Sequence, residues 1–204
     1  AVYTWLMVAR RLQIPKGVDA MVVDFVTHSL NGWEGLLGLR LRCKGTGLCV
    51  IPERLSRLNR LWALDVSNCK LGSDWPASLV ELPVLTWVQA SDNRMFRVPV
   101  VIALLTHLRE LNLASNSLSS VVVEDFPSSL EVLDLSANLF AFLPFDMRAL
   151  EKLERLSLSQ NKFTSFPEGV LCCPALKALN LDNNRIERLP ESGFVCSALK
   201  TLRL

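Results

Sequence analysis

Covalent or metal chemistry in this chain would fall to six cysteines and two histidines. Cys43 and Cys49 flank the segment KGTGL, a spacing that supplies at most half of a four-ligand zinc site, and no second pair of that kind follows. The glycines between them lack the preceding strand, the spacing and the lysine-serine ending of a phosphate-cradling loop. His28 and His107 have no cysteine or carboxylate at a ligand or triad spacing, and His107 reads as a turn residue before a core leucine. Nowhere does the sequence assemble a nucleophile with its base, or paired carboxylates in a closed pocket. No catalysis, metal, cofactor or small-molecule substrate is expected.

The elements around these residues are repetitive. The pattern L-x-x-L-x-L-x-x-N-x-L, with other apolar residues allowed at the leucine sites, recurs along the chain. Its copies begin at Leu61, Leu85, Leu108, Leu130, Leu153, Leu176 and Leu199, which are 24, 23, 22, 23, 23 and 23 residues apart. The asparagine site holds Cys69, then Asn93, Asn116, Asn138, Asn161 and Asn184. An apolar-proline pair follows at Trp75-Pro76, Val98-Pro99, Leu143-Pro144, Phe166-Pro167 and Leu189-Pro190, and Ile51-Pro52 precedes them. The copy at Val121-Val122 lacks the proline. Within L-x-L both leucines point to one side of a strand and the residue between them to the other. One such strand cannot bury its leucines alone, so neighbours must stack. The asparagine amide both donates and accepts, which suits a sharp turn with buried backbone groups. Cys173 and Cys196 share a lane with Leu82, Leu105 and Leu150, three residues before each copy starts, and read as buried, inert thiols.

From about Leu36 to Leu204, some four-fifths of the chain, these residues resemble the leucine-rich repeat family, in its short intracellular type with a 23-residue period. The resemblance implies an α/β solenoid, a curved horseshoe with a parallel β-sheet on its concave face, and a function of binding protein partners. Two domains are expected: a helical N-terminal capping segment over 1–35, and a repeat domain over 36–204 with about eight repeats, the first degenerate and the last truncated. In the cap, Val2 to Leu12 carries Trp5, Leu6, Ala9 and Leu12 at helical spacing, and Val18 to Leu30 reads as a second helix. The degenerate first repeat places Leu36, Leu39 and Leu41 in the leucine frame. IPKGVDAMVVDFV loosely resembles the opening of an F-box, which would make the chain a substrate-recognition subunit of a ubiquitin ligase. The second half of an F-box has no counterpart between His28 and Leu36. The last copy stops at Leu204 with no capping sequence, so the polypeptide is expected to continue or that edge to be covered.

The outward strand residues are where a partner is expected. Between the strand leucines stand Arg40, Asp65, Gln89, Asn112, Asp134, Ser157, Asn180 and Arg203; just before the middle leucine stand Gly38, Ala63, Trp87, Glu110, Val132, Arg155, Ala178 and Thr201. Trp87 is the large aromatic among them, a residue type that often anchors interfaces. A third lane, directly after the asparagine site, reads Lys70, Arg94, Ser117, Leu139, Lys162 and Arg185, four of them basic. It would steer an acidic partner, and it is the one support for a structural role in a ribonucleoprotein assembly. Overall, 22 basic against 20 acidic residues give a net charge of +2, without the basic excess of a nucleic-acid binder. No apolar run approaches the roughly 18 residues of a membrane span. The cysteines are scattered and no Asn-x-Ser/Thr acceptor occurs. These features lead to the expectation of a protein partner within a larger complex, in the reducing interior of the cell, and of a cytoplasmic location.

Overall fold

The computed structural model of the chain describes residues 22–27, 36–44, 48–144, 146–190 and 196–204. Its strands form one nine-stranded sheet in sequence order: β1 (Val22–Thr27), β2 (Leu36–Arg42), β3 (Leu61–Asp65), β4 (Trp87–Gln89), β5 (Glu110–Asn112), β6 (Val132–Asp134), β7 (Arg155–Ser157), β8 (Ala178–Asn180) and β9 (Thr201–Arg203). Every pairing from β2 to β9 is parallel. The leucine frame sets the register: Val88, Leu111, Leu133, Leu156, Leu179 and Leu202 pair in one row across β4 to β9. From Val88 to Leu179 that row is fully buried. A parallel row behind it runs Val66, Ala90, Leu113, Leu135, Leu158 and Leu181.

Between strands the chain turns back through short 3-10 helices at Glu53–Arg57, Ala77–Glu81, Val100–Leu104, Val123–Asp125 and Glu168–Cys172. The proline of the apolar-proline pair is the N-cap of four of these, a place where its fixed φ fits and no backbone N–H is needed. Val122 fills that place in the copy without proline, and its N–H donates to Asp125 Oδ2 at 2.8 Å.

The asparagines meet the turns as their chemistry requires. Asn161 Oδ1 accepts from Phe140 N–H at 3.1 Å, while Nδ2 donates to the carbonyls of Leu135, Leu158 and Ser159 at 3.0, 3.0 and 3.2 Å. Asn138 does the same with Leu118 N–H and the Leu113, Leu135 and Ser136 carbonyls, and Asn116 with Met95 N–H and the Ala90, Leu113 and Ala114 carbonyls. Asn93 and Asn184 make the equivalent bonds at either end of the row. Each amide therefore ties its own repeat to the one before it. The residue ahead of each ladder position adopts positive φ: Asn68, Asp92, Ser115, Ala137, Gln160 and Asn183, all between 51° and 58°. Asn and Asp tolerate that region, but Ala137 and Gln160 bear a steric cost on the order of 1 kcal/mol. The amide bonds hold the backbone there. Cys69, in the ladder position of its repeat, donates its Sγ–H to the Cys43 carbonyl at 2.7 Å, tying its repeat to the one before.

The N-terminal region departs from expectation in two ways. Val22–Thr27, inside the stretch read as a second helix, is β1, antiparallel to β2 from Val22↔Arg42 to Val26↔Gly38. The segment VVDFVT is dense in β-branched residues, which lose side-chain freedom in a helix and pack well on a pleated surface. The F-box reading needed a helix there and is set aside. The expected helix at Val2 to Leu12 lies outside the described residues. In β2 the register also differs: Leu41 pairs with Leu64, Arg40 with Ala63 and Arg42 with Asp65. Arg42, not Arg40, is the counterpart of Asp65.

A candidate protein-binding face on the outer side of the strands

The sheet brings the outward residues into two rows. One pairs Ala63, Trp87, Glu110, Val132, Arg155, Ala178 and Thr201; the other pairs Asp65, Gln89, Asn112, Asp134, Ser157, Asn180 and Arg203. The rows are not equivalent. Asn112, Asp134 and Asn180 are half-buried, and each Oδ1 accepts the N–H of the residue two further on, at 2.8, 2.9 and 3.0 Å. Asp65 accepts from both Ser67 N–H and Ser67 Oγ–H, at 3.2 and 2.6 Å. Side chains that cap a turn in this way close the strand end. They are building parts first and contact points second. The sequence held a partial clue: Asn or Asp recurs at four of the seven places in this lane, at Asp65, Asn112, Asp134 and Asn180.

At β3 the outward side is closed, with Ala63 fully buried and Asp65 only 9% exposed. The accessible face begins at β4. Along it, the first row carries half-buried Trp87 and Val132 and exposed Glu110, Arg155 and Thr201. Over β6 to β9 these residues border a shallow depression of about 280 Å³, lined by Val132, Arg155, Ser157, Ala178, Asn180 and Arg203 among others. Its lining combines the small side chains Ala178 and Ser157 with the guanidinium-bearing Arg155 and Arg203. Such a surface can receive an acidic or amide side chain of a partner.

Where the strands begin, charges pair across neighbouring repeats. Arg109 meets Glu131 at 3.2 Å and Lys177 meets Glu154 at 2.5 Å. The Lys177 bond holds the Glu154 carboxyl below its usual range, with smaller contributions from Lys177, Arg155 and Lys200 charges. The thiols of Cys43, Cys69, Cys173 and Cys196 are buried, whereas Cys49 and Cys172 are exposed. Burial pushes Cys173 up to about 12, helped by Cys196 and Cys172, and burial likewise raises Cys43. Cys173 Sγ donates to the Met147 carbonyl at 3.4 Å, and Cys196 Sγ to the Cys173 carbonyl at 3.5 Å. At neutral pH the Cys43 and Cys173 thiols therefore stay protonated. Among the described residues no group of three or more His, Cys, Asp or Glu is placed to hold a metal ion, and no helix is long and apolar enough to cross a membrane.

Comparison with known proteins agrees with this geometry. A family model described as leucine rich repeat matches residues 106–163 and 128–186. The human leucine-rich repeats and immunoglobulin-like domains protein 1 is 37% identical over 103 residues, covering 50% of this chain and 9% of that protein. Among solved structures, the TLR13–ssRNA13 complex matches with a TM-score of 0.70 at 27% identity, over 80% of this chain and 24% of that one. A leucine-rich repeat protein of Leptospira interrogans matches in fold with a TM-score of 0.66 at 23% identity, over 78% and 46% of the two chains. The chain spans less than half the length of each.

Proposed function

We propose, because this chain is a leucine-rich repeat protein, that it is a non-catalytic interaction scaffold or adaptor, inside the cell, whose protein partner lies across the outer face of β4 to β9. The observation that carries this reading is the contrast between the two outward rows. One carries turn-capping Asn112, Asp134 and Asn180 at three of its six places; the other changes identity at every repeat, from Trp87 through Glu110, Val132, Arg155 and Ala178 to Thr201. Variation on a constant frame is how a repeat protein acquires a specific ligand. Trp87 at one end and Arg155 and Arg203 at the depression are of the kinds that dominate interface energetics.

Affinity purification with quantitative mass spectrometry, comparing the wild-type chain with the Trp87→Ala/Arg155→Ala double variant, tests the proposal. A partner recovered by the wild type is expected to be lost from the variant. For that partner, Trp87→Ala alone is expected to weaken binding by about 2 kcal/mol, roughly thirtyfold, with the melting temperature unchanged. Equal recovery by a folded double variant would place the partner elsewhere. Loss of the fold in Trp87→Ala would make that residue a structural one.

A further inference from the structure

The exposed large apolar side chains include a group on the rim where strands give way to loops. Phe96 is 64% exposed, Leu139 40% and Phe142 67%. Phe96 stands three residues after Asn93; Leu139 and Phe142 stand one and four after Asn138. The repeat between them, built on Asn116, presents exposed Ser117, Ser119 and Ser120 at the matching places. The two phenylalanines, two repeats apart, therefore flank a low saddle about 10 Å wide at the usual spacing of strands. Arg97 lies 5.7 Å from the centre of the Phe96 ring while bonded to Asp74 at 2.8 Å, which steadies that wall.

Charge brackets the apolar centre. Lys70 and Arg94 precede it, and Lys162 and Arg185 follow, each directly after a ladder position and each exposed. None of the four enters an ion pair among the described residues. The same rim exposes Asp92 and Glu187, too few to cancel them. From Lys70 to Arg185 is five repeat steps, about 24 Å, the length of about seven extended residues.

We propose that this rim is a second docking site, for a short acidic segment of a partner protein with an apolar side chain at its centre and carboxylates towards both ends. The central side chain enters the saddle between the apolar walls of Phe96 and of Leu139 and Phe142, and the flanking basic residues receive the carboxylates. A nucleic-acid strand carries charge along its whole length, so its middle phosphates would fall on Leu139, Phe142 and the serines. A second copy of this chain would bring one basic rim against another. The acidic peptide is the occupant whose charge and apolar pattern match throughout. This surface is separate from the outer face of the strands, and the proposal stands or falls independently of that one.

The test is a positional-scanning nonapeptide array probed with the purified chain, followed by fluorescence anisotropy on the best peptide. Selection of Asp or Glu at the ends and of an aromatic residue or leucine in the middle is expected. Affinity for that peptide is expected to fall at least tenfold in Arg94→Glu/Lys162→Glu and in Leu139→Ser/Phe142→Ser, to weaken as salt rises, and to stay within twofold in Trp87→Ala/Arg155→Ala. Melting curves accompany each variant, and Arg94→Gln/Lys162→Gln replaces the reversal if that unfolds the chain. An array without acidic selection, a peptide insensitive to the rim variants, or tighter binding of a nine-nucleotide single-stranded RNA would each overturn the proposal.

Discussion

Replacing Asn161 by leucine is expected to lower the free energy of unfolding by about 3 kcal/mol, measured by chemical denaturation at neutral pH. The two side chains have the same number of heavy atoms and the same branching, so the loss is chiefly one of polar bonding. In the native chain Asn161 is 7% exposed and serves one N–H and three carbonyls. Leucine leaves the Phe140 N–H without its partner, in a turn closed to water, while the carbonyls of Leu135 and Leu158 lose one donor and keep Asn138 Nδ2 and Asn184 Nδ2. An orphaned buried donor costs about 1 to 3 kcal/mol, and the weakened bonding at the three carbonyls brings the total to the upper end of that range. Because the amide reaches into the preceding repeat, the loss falls on the junction between two repeats. An unchanged denaturation midpoint would mean that the bonds are not made.

Phe140→Ala is expected to cost about 4 kcal/mol, while Phe142→Ala, two residues along, is expected to change stability by less than about 0.5 kcal/mol. Phe140 is fully buried in a row with Leu71, Met95, Leu118 and Phe163. Truncation removes a whole ring from between two stacked repeats and leaves a cavity that short strands pinned on both sides cannot close. Phe142 points to solvent and loses nothing comparable. Denaturation of both variants checks the pair, and equal effects at the two sites would contradict the inward and outward assignment along this loop.

How much of this was legible in the sequence depends on how often the chain repeats a signal. The leucine frame, the stacking of short parallel strands and the positions of Asn93 to Asn184 could be read because several copies agree and each is set by local spacing. The first repeat offered a single degenerate copy. Leu36, Leu39 and Leu41 fit the apolar frame, but Leu41, which is 23 residues before Leu64, keeps the period and is its partner in the sheet. Counting back by the period would have identified Arg42 in place of Arg40. The strand at Val22–Thr27 was missed because apolar density was weighed above side-chain branching.

The outer face was partly legible. Strand alternation gave which residues point outwards, but not that Asp65, Asn112, Asp134 and Asn180 are engaged with backbone N–H groups. Nor could alternation show that the outward side at β3 is buried. Exposed Phe96 and Phe142 lie in loops where no two-residue period applies, so only the folded chain shows them beside the basic lane that the sequence did reveal.

Amide hydrogen exchange, resolved residue by residue by NMR, tests the stacked and amide-pinned repeat most directly. The N–H groups of Met95, Leu118, Phe140 and Phe163 lie outside the strands, and each donates to the ladder asparagine of the next repeat. They are expected to exchange as slowly as the strand amides of Leu111, Leu133 and Leu156, opening only when the stack itself comes apart. Exchange of these four at the rate of an open loop, with the strand amides still protected, would contradict the account.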